Sequence, residues 1–402
     1  VVCEKCFQVP MKTPLRFVLL ALTSALVPQP SFSAEPGSGW RAGFAAARIT
    51  PTEPLMLAGY SGRTQPASEV DDELFLKVVA LEDSAGSRAL IVTADLIGFR
   101  ADFSGTVCAR ITAETGVPRE RILLNASHTH AGPAVMLGTQ SHYTIAREQA
   151  ERLIVYTTRL QDDCVRLARE ALGKLAPARL RTGVGQVNFP MNRREFTERG
   201  VILGVNPSGP VDRSVPVLRI DDPDGRLIGV VFGAACHNTT YGTRDNRVSG
   251  DYAGVAQAII ERENPGVQAM FVQGVAGDAN PYPNSLNDPA KRPAAEIARA
   301  HGAELGREVT RVLGFTLRPV GGPLRTAVGE VSLPLRAPPA REELERMAAK
   351  GSGADKFDIK SPYPFTSSEE HYQAWLKKAN GGTTHTLATL PDWDGIWVLQ
   401  EK

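Results

Sequence analysis

Apolar positions recur along the chain with two periods, and the change from one to the other marks out its elements. Steps of three and four dominate Ile145–Leu172. There Leu153, Tyr156, Leu160, Cys164, Leu167 and Ala171 share one face while Arg147, Glu151, Arg159, Asp163 and Arg169 occupy the others, which predicts a helix lying across a sheet. The same period predicts helices over Phe103–Thr115, closed by Gly116-Val117-Pro118, over Ala253–Arg262, stopped by Asn264-Pro265-Gly266, and over Ala294–Leu313. Shorter, β-branched runs predict strands at Ala42–Ile49, at Ile122–Leu124, at Arg179–Val187 and at Ala269–Gln273. Two hairpins join them: Leu74–Leu81 with Ala89–Ala94 around a turn at Asp83–Ser87, and Val215–Ala235 turned at Asp222–Gly225. Strands alternating with helices specify an α/β fold, a mixed sheet or sheets with flanking helices, whose site lies at the C-terminal ends of strands. Past Leu313 the pattern weakens. Arg325–Arg336 reads as a strand, and Arg341–Ala349 and Ser368–Ala379 read as short helices in sequence rich in Gly, Ser, Pro and Asp.

Composition narrows the function classes. The chain has 402 residues with 42% apolar content, enough for one large core or two modest domains. Lys and Arg number 45 against 44 Asp and Glu, so no global field draws nucleic acid or an anionic membrane. Residues 1–10 precede the first methionine, Met11, and read as upstream translation. Residues 11–34 read as a secretory signal: Lys12 and Arg16, the apolar run Phe17–Val27, then small residues around Ser31, Ser33 and Ala34. An uncleaved anchor is the alternative, disfavoured by Pro28 and Pro30. The expected location is secreted or periplasmic. Cys3 and Cys6 lie ahead of that signal, and Cys108, Cys164 and Cys236 are an odd number inside predicted elements, so buried thiols are expected and a disulfide scaffold is excluded.

The candidate chemistry sits at strand exits. Leu123–Pro133 delivers His128 and His130 to a turn made by Gly132 and Pro133. In extended chain, residues two apart point the same way, so both rings address one pocket while Thr129 points away. Imidazole is a common metal ligand and the usual base near neutral pH, although a His-x-His on a loop also serves as a solvated pair. His237 emerges from a second strand, and Asp95 ends a third, either on the same rim or as a local cap. Gly277-Asp278 marks a fourth exit. His301 falls on the apolar stripe of its helix and reads as a satisfied helix residue; His371 and His385 read as surface residues. No Gly-x-Ser-x-Gly elbow is present, and Ser249 is at most a supporting residue.

Seven segments in order then resemble the neutral, non-lysosomal ceramidases and their shorter bacterial relatives: Leu57–Arg63 (LAGYSGR), Thr93–Leu96 (TADL), Asn125–Pro133 (NASHTHAGP), Asn192–Arg194 (NRR), Ala235–Gly242 (ACHNTTYG), Val248–Tyr252 (VSGDY) and Gln273–Pro281 (QGVAGDANP). They cover about Trp40–Leu313. The resemblance implies a zinc amidase acting on ceramide or a related N-acyl lipid. In it His128 and His237 would hold Zn2+, His130 would be the acid/base, and Arg193 would stabilise charge on the carbonyl oxygen, a surface salt bridge being the plainer reading of that arginine. Asp95 and Asn280 would address the substrate. No partner protein is implied, and the substrate is a small-molecule or lipid amide, allowing for one presented at a membrane surface.

Two departures qualify this. Asn280 stands where the family carries a serine, which excludes a covalent serine mechanism there and opens the range of N-acyl substrates. The family also completes its zinc shell with a glutamate and a tyrosine from a segment that would follow Lys402, so 35–402 is expected to be a catalytic domain incomplete at its C-terminus, with weak zinc binding and little activity. Nearly stoichiometric zinc after dialysis would contradict that expectation. A zinc hydrolase of another amide or ester, and a catalytically dead lipid- or glycan-binding module, are the competing readings.

Overall fold

Alternation of side chains along the strands decides how this chain builds its layers. In the computed structural model, which describes residues 39–60, 62–136, 145–198, 200–329, 386–388 and 398–400, everything discussed below belongs to the unit Pro36–Lys402. The export segment 11–34, Cys3, Cys6, the short helices expected at Arg341–Ala349 and Ser368–Ala379, His371 and His385 lie outside the described residues.

The first part of the chain contains β1 (Trp40–Arg48), the short β2 (Glu69–Val70), β3 (Phe75–Glu82), β4 (Arg88–Ala94), α1 (Ala101–Thr115), β5 (Ile122–Ala126) and α2 (Arg147–Gly173). The second contains β6 (Ala176–Gln186), β7 (Pro190–Thr197), β8 (Gly200–Asn206), β9 (Ser214–Asp221), β10 (Leu227–Ala234), β11 (Arg247–Val248), α3 (Asp251–Glu263), β12 (Gln268–Gln273), β13 (Ala279–Pro281), α4 (Ala294–Leu313) and β14 (Arg318–Pro319). Two three-residue strands, β15 (Thr386–Ala388) and β16 (Val398–Gln400), pair with each other.

One mixed sheet runs in the order β12-β10-β9-β6-β1-β3-β4-β5, with β14 added beside β6. Its hinge is the short β1–β6 ladder, three residue pairs long, from Trp40–Ala178 to Ala42–Ala176. On either side of that seam the strands present two faces. Trp40, Ala42, Val79 and Leu81 from one half meet Ala178, Leu180, Ile220, Val231 and Met270 from the other in a shared core. The opposite faces pack outward. Ala45, Leu76, Val78, Leu90 and Val92 meet α1 and α2 through Phe103, Ile111, Leu160, Leu167 and Ala171. Val217, Val230, Phe232, Ala269 and Phe271 meet α3 and α4 through Ala256, Ile260, Leu305 and Val309. Period-two strands buried on both faces and period-3.6 helices buried on one account for this helix–sheet–sheet–helix stack. A buried cation also ties the halves: Lys77 on β3 donates to Glu261 (2.6 Å) and to the carbonyl of Ala269 (2.9 Å).

Most expected elements are present within a residue or two of their predicted limits. Three corrections stand. Asn192-Arg193-Arg194 lies in β7, which forms a hairpin with β8 and carries β13 on its other side; neither the hairpin nor β13 shows in the periodicity. Helix α3 begins at Asp251 rather than Ala253. Of the strand expected at Arg325–Arg336, residues 325–329 form no strand and are exposed, with no half-buried sheet surface to receive them, and the rest of the run lies outside the described residues; β14 pairs with β6 seven residues earlier. Cys108, Cys164 and Cys236 are buried free thiols, as expected. No helix among the described residues is long and apolar enough to cross a membrane.

Helix α2 reaches β1 at a glycine. A Cβ on Gly43 would sit 2.1 Å from the carbonyl oxygen of Ala171. Gly43→Ala is therefore expected to destabilise the protein by about 1–3 kcal/mol, the range for overpacking a filled interior. Urea denaturation at constant m-value measures it, and an unchanged midpoint would show that α2 can move away from β1.

Candidate metal centre

Four strand ends converge at one place. β4 continues into Asp95, β5 into Ser127 and His128, β10 into Ala235, Cys236 and His237, and β12 into Gly274. Each exit is pinned by backbone bonds to its neighbours: Ser127 N–H donates to Ala94, His128 N–H to Leu96, and His237 N–H to Ala279. Buried peptide groups must find such partners, so the loops cannot drift without breaking them.

His128, His130 and His237 are all buried, and their ligating atoms lie within 4.8 Å of one another. Ring centroids are 4.6 Å apart for His128 and His237, 4.8 Å for His128 and His130, and 5.6 Å for His130 and His237. The pairing of His128 with His130 was expected, but not from an extended chain. His128 is left-handed, at φ 65°, a conformation unusual for a residue with a side chain, and that turn brings the rings together. Thr129 does point away: its hydroxyl donates to the Ser249 carbonyl at 2.8 Å.

The tautomers follow from the acceptors. A carbonyl oxygen only accepts, so the 2.6 Å contact of His128 Nδ1 with Ile97 O and the 2.7 Å contact of His237 Nδ1 with Ala276 O place the proton on Nδ1 in both rings. Each Nε2 is left as a lone pair, the arrangement by which outer hydrogen bonds orient metal-binding histidines. The 3.2 Å contact between His130 Nε2 and His128 Nε2 then has His130 as its donor. His130 Nδ1 is buried without a hydrogen-bond partner among the described residues. Burial disfavours the charged ring throughout: it pushes His128 down to about 4 and holds His130 and His237 well below the usual histidine range, with the Arg193 charge acting in the same direction. Three neutral, dry imidazoles fit a transition metal ion.

The glycine-bounded loop Leu57–Arg63 closes over His130. A Cβ on Gly59, at φ 95°, would lie 2.4 Å from the His130 ring. The Tyr60 ring packs 4.9 Å from that of His130, and Arg63 donates to the carbonyl oxygens of Ala58 and His130. Arg193 comes from β7 and is buried, not a surface residue. Its guanidinium donates to the carbonyl of Gly277 (2.9 Å from Nη2) and to Asn280 Oδ1 (3.2 Å), which also accepts from Thr239 (3.2 Å). Asp95 takes the capping alternative: its carboxylate accepts from Phe75 N–H (2.9 Å) and Gln257 (3.1 Å), and burial pushes it up to about 6. His301 donates to or accepts from no ring of the cluster; its Nε2–H reaches Pro283 O at 2.8 Å, the satisfied role expected of it. Ser249 hydrogen-bonds Asp72 at 2.6 Å and supports the loop before α3.

The fold and site define an α/β protein with a buried three-histidine centre, able to hold a metal, at the ends of its strands. Residues 40–287 match the model of the neutral/alkaline non-lysosomal ceramidase N-terminal region, and the chain belongs to that family. Neutral ceramidase B of Dictyostelium discoideum is 26% identical over 246 residues, covering 56% of this chain and 33% of the relative; neutral ceramidase A of the same organism is 26% identical over 221 residues, covering 50% and 30%. The crystal structure of neutral ceramidase from Pseudomonas aeruginosa superposes with a TM-score of 0.59 at 24% identity, covering 71% of this chain and 46% of that one. A ceramidase complexed with C2 gives 0.60 at 25%, covering 71% and 45%. The match to each curated relative thus spans about a third of its length.

Because His128 is neutral in the fold and an ordinary histidine once unfolded, its contribution to stability is intact above about pH 6.5 and is lost as the pH falls toward 4. Metal-free protein is expected to lose on the order of 3 kcal/mol from His128 alone across that window. Urea denaturation in chelator at several pH values measures this, and His128→Phe should flatten the slope; a variant as acid-sensitive as the parent would contradict the assignment.

Proposed function

We propose that this chain carries the centre of a zinc-dependent amide hydrolase that cleaves the N-acyl bond of ceramide or a related N-acyl lipid. The observation that carries the reading is the buried cluster of His128, His130 and His237, with two of its rings fixed in the metal-binding tautomer, in a chain of this family. A lipid substrate is supported by the groove beside it. The groove has a volume of about 860 Å³, His128 forms part of its wall, Ile97, Phe99, Leu123 and Leu124 give it apolar lining, and Arg119, Glu120 and Arg121 line it as well. A second groove of about 570 Å³, between the end of β1 and α2, shares no residue with the histidine cluster.

His128 and His237 would hold the zinc through Nε2. Bound there, zinc supplies Lewis acidity toward the amide carbonyl and lowers the pKa of a water toward ~7. His130 is the ring without a carbonyl lock, so it is the one able to accept the proton of the attacking water and return it to the leaving amine nitrogen. Arg193, buried and braced by Gly277 and Asn280, presents positive charge where the carbonyl oxygen gains negative charge. Asn280 is held by both Arg193 and Thr239 and contributes through Arg193's orientation. Asp95, whose carboxylate accepts from Phe75 N–H and from Gln257, supports the exit of β4 in this reading. The leader pattern in residues 11–34 puts the enzyme outside the cytoplasm in this reading.

With zinc supplied, the little turnover expected of this chain should fall on N-acyl-sphingosine in preference to short acyl-amides. Chelation should abolish turnover, and His128→Ala or His237→Ala should remove the bound metal. His130→Gln should retain zinc while lowering kcat by about 10²–10⁴-fold. Turnover surviving in His130→Gln would overturn the acid/base role. Cleavage confined to short amides would favour a hydrolase of another substrate, and lipid binding with zinc but no turnover would favour a binding module.

A further inference from the structure

The two histidine-bearing exits are joined by a single buried carboxamide. Asn238 is fully buried immediately after His237. Its Nδ2 donates to the carbonyl of Ser127 (2.6 Å) and to Gln273 Oε1 (3.2 Å), and its Oδ1 accepts from Ala253 N–H (3.2 Å) at the first turn of α3. Its own carbonyl accepts from His130 N–H at 3.1 Å, and Asn238 forms a one-residue parallel bridge with Thr129. One residue thus spans the segment on both sides of His128 while being covalently next to His237. A side chain with two donors and one acceptor is needed for these three bonds, and Asn is the short residue that has them.

Gln273 and Asn125 extend the same device. Gln273 Nε2 donates to the Cys236 carbonyl at 2.9 Å, tying the end of β12 to the residue before His237. Asn125 then uses its side chain as a strand would use its backbone: Oδ1 accepts from Gln273 N–H (2.8 Å) and Nδ2 donates to Gln273 O (3.2 Å). β5 and β12 are the two ends of the long sheet and share no ladder, so this amide pair closes the sheet at the point where its edges carry the site.

We propose that Asn238, supported by Gln273 and Asn125, is a positioning residue that sets the spacing of His128 and His130 relative to His237. The inference rests on the metal-site reading above, and its test separates the two. Cobalt(II) titration of the purified chain, followed by the visible ligand-field bands, reads affinity and geometry without turnover. Asn238→Asp keeps the shape of the side chain but faces the Ser127 carbonyl with an acceptor. It is expected to weaken cobalt binding about 10–100-fold and to shift the bands, as loss of an outer hydrogen bond does at metal-binding histidines. Gln273→Met, which keeps both backbone bonds to Asn125, should weaken binding in the same direction but less. Ile111→Ala, in the core under α1, should lower the melting temperature with cobalt affinity and bands unchanged.

Hydrogen exchange on metal-free protein gives the second readout. Asn238→Asp, or Gln273→Met should the aspartate variant fail to fold, is expected to speed exchange at residues 127–131 at least tenfold, with β3 unaffected. Parent protein that binds no cobalt would remove the metal reading while leaving the exchange result to decide the positioning role. Parent-like affinity, bands and exchange in both variants would overturn that role.

Discussion

Everything in this structure depends on keeping three imidazoles dry and neutral at one point. A buried ring must choose a tautomer, and each nitrogen must find a partner or be left without one at a cost in free energy. Here backbone carbonyls make the choice. Ile97 and Ala276 take the Nδ1 protons of His128 and His237, and those carbonyls come from loops pinned by strand exits, so the chemistry of the rings is written into the backbone path. The left-handed turn at His128 belongs to the same constraint. An extended chain would have carried the ring past its neighbour, and the conformational strain is held by the bonds from Ser127, His128 and His130 to surrounding carbonyls.

The long sheet makes that constraint possible. β5 and β10 are six strands apart along its path, and in a flat sheet neighbouring strands lie about 4.8 Å apart, so the histidines would be separated by nearly 30 Å. Folding about the short β1–β6 seam brings the two halves face to face over Trp40, Leu81, Leu180, Val231 and Met270, and brings the exits of β5 and β10 together. The shared core is therefore part of the site's geometry as well as of its stability. Two fully helix-backed half-sheets give each histidine a rigid base, and only the exits are free to specialise.

The elements that follow a clean period were legible in the sequence. α2 and α4 were, because a helix with one buried stripe writes that stripe into the chain, and β3, β4 and β10 were, because strands buried on both sides read as continuous apolar runs. The β7–β8 hairpin was not. Met191, Asn192, Arg193, Arg194 and Glu195 show no alternation, because that stretch is buried or half-buried on both sides with polar side chains that serve the site. His128 and His237 were legible as strand-exit residues, yet their distance from each other depends on the fold of the sheet about β1, which no local pattern records. Asp95 shows the converse. Its position at a strand end looked functional, and only the fold shows each of its oxygens accepting a structural hydrogen bond, from the N–H of Phe75 and the amide of Gln257.

The cluster is asymmetric, and the asymmetry bears on how roles divide within it. His128 and His237 each have one nitrogen held by a carbonyl, so their protons cannot move without breaking a short hydrogen bond, and their other nitrogens are fixed as donors of electron pairs. His130 has no such lock: among the described residues Nδ1 has no hydrogen-bond partner and Nε2 meets another ring. Its position is set instead by packing, between Gly59 and Tyr60 on one side and the Asn238 carbonyl beneath its own N–H. A ring fixed in place by its backbone and neighbours, with its one proton given to another ring and not to a carbonyl, is suited to carry protons; a ring fixed in tautomer is suited to carry a metal. Three residues of one type thus separate into two chemistries through what lies behind them.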